Sequence, residues 1–120
     1  MEHRYGYSRA VVQGDWVFVS GTTGFNYDAG TISEDPAEQT RQTFRNIEVA
    51  LAEAGATLAD IVRSRYIVTH TEHWEAVSTV LGEFFTDVRP AATAIIAGLI
   101  DPRMKVEIEV TALKNMREDI

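Results

Sequence analysis

Residues 91–98, AATAIIAG, carry small or apolar side chains at both strand parities. That is the composition of a strand covered on both faces. The rest of the chain supplies one cover at most. Two helical patterns separated by a strand, within a β-rich sequence, place both helices on one face of a mixed sheet, an α+β arrangement. With 120 residues the chain is one domain, 1–120, with one hydrophobic core. The second cover is then most simply another copy of itself, and closed symmetry is the usual way to satisfy such a surface.

The element boundaries follow from local signals. Residues 5–12 and 16–20 are rich in aromatic and β-branched side chains and flank the turn Gln13, Gly14, Asp15, as a hairpin does. A loop containing Gly21, Gly24 and Gly30 follows. Asp35 is placed to cap a helix, with Pro36 in its first turn and Glu38 three residues past the cap. Phe44, Ile47, Leu51 and Ala54 recur at helical spacing, and Gly55 ends the run. Residues 61–69 form a third strand. A second helix opens near Thr71, with Trp74, Val77, Leu81 and Phe84 on one face. Pro90 breaks the chain before strands 91–98 and 106–113, which join through a turn at Asp101 and Pro102.

Composition removes several function classes. There is no cysteine, so disulfides, thiolate catalysis and Cys-based metal centres are excluded. Eleven basic residues face 18 acidic ones, a net charge of −7 with no basic run, which argues against nucleic acid as a partner. No apolar run approaches the roughly 20 residues that span a bilayer. The first residues carry no apolar signal core, so a cytoplasmic location is expected.

Few residues carry chemistry by spacing alone. Glu107 shares a strand face with Glu109 and Thr111, opposite Val106, Ile108, Val110 and Ala112, which by itself describes a half-exposed strand with solvated carboxylates. Ser20 ends an apolar strand beside Gly21, where its hydroxyl can satisfy a turn. No activating base adjoins it in sequence, so a serine-hydrolase reading has little support. Tyr7 reads as a rim aromatic. His70 and His73 lack an evident third ligand, so no metal is assigned. The glycines of the 21–30 loop lack the spacing and the lysine of a phosphate-binding loop.

A resemblance adds to this. Gly6, Tyr7, Ser8, Arg9, Ala10 and Val11, then Val17, Phe18, Val19, Ser20 and Gly21, resemble the first hairpin of the Rid (YjgF) family. Glu38 to Gln42, Asn46, Ile47 and the run Ala54, Gly55, Ala56 resemble its first helix. Residues 60–63, 83–85, 89–91 and 106–109 continue the match in order, over roughly residues 5–114. The resemblance implies a chorismate-mutase-like α+β fold whose sheets pack into a trimeric barrel, with a small-molecule cleft at each subunit interface. It also implies hydrolysis of 2-imino acids to 2-keto acids and ammonia without a cofactor. A ribonuclease label attached to the family fits poorly with the charge.

The family's site residues fall on Tyr7, Ser20, Ala92 and Glu107, with Glu107 expected to orient or deprotonate the attacking water. Position 92 is an arginine in the family, where its planar fork grips the substrate carboxylate. An alanine methyl cannot do this. Arg89 lies three positions upstream on the opposite strand face, which leaves Arg103 and Arg65 as candidates to replace it. The expectation is a homotrimer acting on a small imine or enamine, with weak activity on the usual 2-imino acids. The alternative is a non-catalytic ligand-binding trimer.

Overall fold

A computed structural model describes residues 6–114. Strands β1 (Ala10–Gln13) and β2 (Trp16–Thr23) form the expected hairpin, with Gly14 at φ +61° in its turn. The part of the expected first strand before residue 6 lies outside the described residues. The glycine-containing segment is more ordered than a plain loop. Gly21 lies inside β2, and β3 (Phe25–Asn26) and β4 (Thr31–Ile32) make a small hairpin of their own. Helix α1 (Pro36–Glu53), strand β5 (Ile61–Val68), helix α2 (Trp74–Phe84) and strands β6 (Ala91–Ile96) and β7 (Val106–Leu113) complete the fold. The five-stranded sheet runs β1-β2-β7-β5-β6, antiparallel except for the β5–β6 pair.

Helix α1 begins as its sequence requires. The Asp35 carboxylate accepts from the Ala37 amide, Pro36 occupies the first turn, and Gly55 (φ +79°) ends the run. Glu38 does not close a capping box. Its carboxylate pairs with Arg41, which also grips Glu83 through Nε and Nη2 and so ties α1 to α2. Helix α2 is preceded by a 3-10 turn, Thr71–His73, and buries Val77 and Val80. Trp74, expected on its core face, is exposed.

Both helices cover one face of the sheet. Phe44, Ile47, Leu51 and Val77 pack with Val17, Val19, Ile61, Tyr66, Val68, Val106, Ile108 and Val110 in one buried cluster. Phe44 lies face to face with Phe84 at 4.5 Å and edge-on to Phe85 at 5.3 Å. Strand β7 alternates buried and half-buried residues as its sequence does, with Glu107, Glu109 and Thr111 turned from the core. The other sheet face is open within one chain. Trp16 and Phe18 stack there at 6.3 Å, and they and Val11 are each roughly half exposed.

Strand β6 corrects one expectation. It is an edge strand with β5 as its sheet neighbour, and Ala91 to Ala94 and Ile96 are exposed. Its apolar composition is not matched by burial in a single chain, because the helix layer does not extend over that edge. No helix among the described residues is long and apolar enough to cross a membrane.

Candidate functional site

The site begins at an irregularity in β2. Val19 pairs with Val110 but Thr22 pairs with Ile108, so β2 carries one more residue than β7 between those pairs. A bulge of this kind breaks the alternation of side chains and re-aims them. Ser20 and Gly21 occupy it. The Ser20 hydroxyl donates to the Ser8 carbonyl and the Ser20 amide to the Arg9 carbonyl, which pins the segment carrying Tyr7 to the bulge. Because the hydroxyl proton is engaged there, Ser20 offers an approaching ligand only an oxygen lone pair.

Glu107 meets Gly21 from the neighbouring strand. A methyl group at Gly21 would come within 2.2 Å of Glu107 Oε1 and 2.8 Å of its Cδ, so the glycine leaves the space the carboxylate fills. Glu107 is half-buried, and burial pushes its carboxyl above the usual carboxylate range, with the Glu109 charge adding to the effect. Gly21→Ala is therefore expected to displace this carboxylate. Only the flexible end of Glu107 has to move, so the melting temperature should change little while any Glu107-dependent activity falls about 10-fold or more. A full loss of folding on thermal melting would show that Gly21 is needed by the backbone instead.

Beside the bulge opens a cleft of about 730 Å³, lined by Tyr7, Ser20 and Gly21 on one side and by residues of α1 and the β3–β4 hairpin on the other. Tyr7 and Ser20 are thus brought together in the cleft lining, whereas Glu107 lies against Gly21 and is not itself a lining residue. Ala92 is not brought there. It sits beside Ser64 on β6, three strands from β2, or about 14 Å at ordinary strand spacing. Arg103 is engaged elsewhere. Its guanidinium holds Asp101 through Nε (3.1 Å) and Nη2 (2.9 Å), lies over the Phe25 ring at 5.0 Å, and keeps the Asp101 carboxyl at about 2. Arg65 faces Glu109 on the open sheet face at 3.6 Å.

Two arginines that sequence reasoning passed over line the cleft: Arg9 and Arg45. Arg9 stands in the matched hairpin run without an assigned role there, and Arg45 sits in no motif. Arg9 follows the matched tyrosine by two positions, and Arg45 shares a helix face with Gln42, Asn46 and Val49, a pattern that reads as solvated surface until the fold closes over it. Away from the cleft, the structure adds Glu72 to His70 and His73. One donor atom from each lies within 4.8 Å of the others on the exposed turn before α2.

A five-stranded mixed sheet with two helices on one face and a side cleft at a bulge defines an α+β domain of the YjgF type. The chain belongs to the Endoribonuclease L-PSP family, the YjgF or Rid family, whose model matches residues 1–114. It is similar to a Mycobacterium tuberculosis member of the YjgF/YER057c/UK114 family, at 44% identity and a TM-score of 0.84 over 93% of this chain and 90% of that one. An uncharacterized protein of Streptomyces coelicolor is 38% identical over 114 residues, 94% of this chain and 85% of that protein. A 2-iminobutanoate/2-iminopropanoate deaminase of Dermatophagoides farinae is 28% identical over 104 residues, 86% of this chain and 81% of the deaminase.

Proposed function

We propose that this chain forms a homotrimer whose clefts bind a small imine or enamine and hydrolyse it to the carbonyl compound and ammonia. The observation that carries the reading is the Glu107 carboxylate, half-buried and raised in pKa, set against Gly21, the residue that lines the cleft beside Tyr7 and Ser20. A carboxylate raised above its ordinary range by burial is a stronger base than a solvated one, and so better suited to take a proton from water. The water oxygen then bonds to the imine carbon (an enamine first tautomerises to the imine), the C=N π pair moves to nitrogen, and nitrogen takes the proton held by Glu107. The carbinolamine collapses as its hydroxyl proton passes to the amine, C=O forms, the C–N bond breaks and ammonia leaves. Tyr7 and Ser20 line the space the substrate occupies. Membership of the family and the deaminase relative support the reaction class.

The trimer is supported by the open apolar face at Val11, Trp16 and Phe18 and by the exposed edge strand β6. An interface between copies is also the route by which position 92 of one chain can approach the Tyr7 cleft of another. Light scattering coupled to size exclusion is expected to give three times the chain mass of 13.4 kDa. A monomer at micromolar concentration would overturn this part.

Activity is tested by generating imines from several amino acids with an amino-acid oxidase and trapping the remainder with semicarbazide. Weak protection with 2-iminobutanoate is expected, because Ala92 cannot grip its carboxylate as the family arginine does. Loss of charge-assisted anchoring lowers effective affinity by tens- to thousands-fold. If no imine is hydrolysed faster than in buffer, the chain is a binding protein and the catalytic assignment of Glu107 falls.

A further inference from the structure

We infer that Arg45 anchors the carboxylate of the ligand in this cleft, in place of an arginine at position 92, and that the ligand is an anionic 2-oxo or 2-imino acid with an apolar side chain. The inference rests on the reading above for the cleft being the ligand site. It does not depend on turnover.

The argument starts from Asn46. Its Nδ2 donates to the Thr23 carbonyl (2.9 Å) and the Phe25 carbonyl (2.8 Å), so both amide protons go to the backbone where β2 runs into β3. That fixes the amide's orientation and turns Oδ1 towards the neighbouring turn of α1, where it accepts from Gln42 Nε2 at 3.1 Å. Gln42 is oriented in turn, and its Oε1 accepts from Arg45 Nε (3.3 Å) and Nη2 (3.1 Å). The guanidinium is thus held through two linked amide side chains, Gln42 and Asn46, and its immediate partner is a neutral amide. A carboxylate partner would cancel its charge. An amide leaves the charge in place, and the fork keeps further N–H donors for a bound anion.

The surroundings agree. The cleft lining holds two cations, Arg9 and Arg45, and one anion, Asp28, with the Glu107 carboxylate behind Gly21. Tyr7, Tyr27 and Val49 supply apolar lining and are 48%, 62% and 53% exposed. In the single chain the cleft measures about 730 Å³, within the range of small-molecule sites.

The test is calorimetric titration of the full chain with phenylpyruvate, its neutral amide, and inorganic phosphate as competitor. Phenylpyruvate is expected to bind at least 10-fold more tightly than the amide, with phosphate displacing it only at large excess. Arg45→Gln should weaken phenylpyruvate binding by about 10- to 100-fold, and Arg45→Lys by less, since the charge remains without the fork. Gln42→Leu should weaken binding several-fold in the parent and have no effect in Arg45→Gln, as expected of a residue acting through Arg45. Arg45 is exposed and Gln42 partly buried where α1 lines the cleft, and a thermal melt confirms that each variant folds. Equal binding of acid and amide, unchanged binding by Arg45→Gln, competition by equimolar phosphate, or no binding by the parent would each overturn the inference. Imine hydrolysis is read separately. Hydrolysis with no dependence on Arg45 sinks this inference alone, whereas Arg45-dependent binding without hydrolysis sinks only the enzymatic reading.

Discussion

Glu107→Gln is expected to lower imine hydrolysis by about 10²- to 10⁴-fold and, at pH 7, to raise the melting temperature slightly. The two effects have one cause. Burial and the Glu109 charge hold the Glu107 carboxyl above its ordinary value, so the folded protein keeps this proton to higher pH than the unfolded chain does. Wherever the folded state binds the extra proton, stability falls as pH rises. The fall begins near the unfolded value of about 4.3 and is complete above the raised folded value. Ionised Glu107 therefore destabilises the fold at neutral pH, and the isosteric amide removes that charge. Below the unfolded value both proteins carry a neutral group and their melting temperatures converge. Paired melts at pH 4 and pH 7, with the semicarbazide assay on the same samples, check both halves. A lower melting temperature for the variant at pH 7 would mean that Glu107 makes a favourable ionic contact. Undiminished hydrolysis would remove it from the mechanism.

Gln39→Leu is expected to destabilise the protein by about 3–5 kcal/mol, although it puts an apolar side chain at a fully buried site. Gln39 is 0% exposed. Its Nε2 donates to the Ser33 carbonyl (2.7 Å) and the Arg103 carbonyl (2.9 Å), and its Oε1 accepts from the Lys105 amide (2.9 Å). One side chain thereby joins the approach to α1, the turn before β7 and the start of β7 itself. Leucine would leave three backbone groups without partners, at roughly 1–3 kcal/mol each where water cannot reach them. The gap cannot close by moving the helix, because the chain at Gly24 already presses on it. A methyl group there would come within 2.5 Å of the Gln39 carbonyl oxygen. Urea unfolding at fixed protein concentration, which holds any assembly equilibrium constant, measures the loss. A change under about 1 kcal/mol would show that water replaces the amide.

How the sequence foreshadowed this molecule depends on the range of the forces involved. Asp35, Pro36 and Gly55 bound α1 through contacts within a turn, and the alternation of Val106, Ile108 and Val110 with Glu107 and Glu109 settles which way β7 faces. Both are local and periodic, so both are legible in one dimension. The in-order match of many short segments likewise pointed to the family. Gly21 shows where legibility ends. A glycine beside a strand can mark a loop or a bulge, and only the β2–β7 register, with the Glu107 carboxylate lying against it, decides for the bulge.

Gln39 and Arg45 show the same limit on α1. In sequence they are polar residues on a helix, and nothing in their spacing separates a buried hub from a cleft-lining cation. Their roles come from partners far along the chain: Lys105 for Gln39, and the carbonyls of Thr23 and Phe25 acting through Asn46 and Gln42 for Arg45. Strand β6 gives the complementary case. Its apolar run is plain in the sequence, yet burial depends on what lies across it, and in the single chain that edge is exposed. The main strands and helices, the facing of β7 and the family were thus determined by the sequence alone, the elements through short-range propensity and periodicity and the family through the in-order match. Which polar side chains are buried, and which arginine reaches the cleft, was decided only when the tertiary structure brought distant backbone groups within hydrogen-bonding distance.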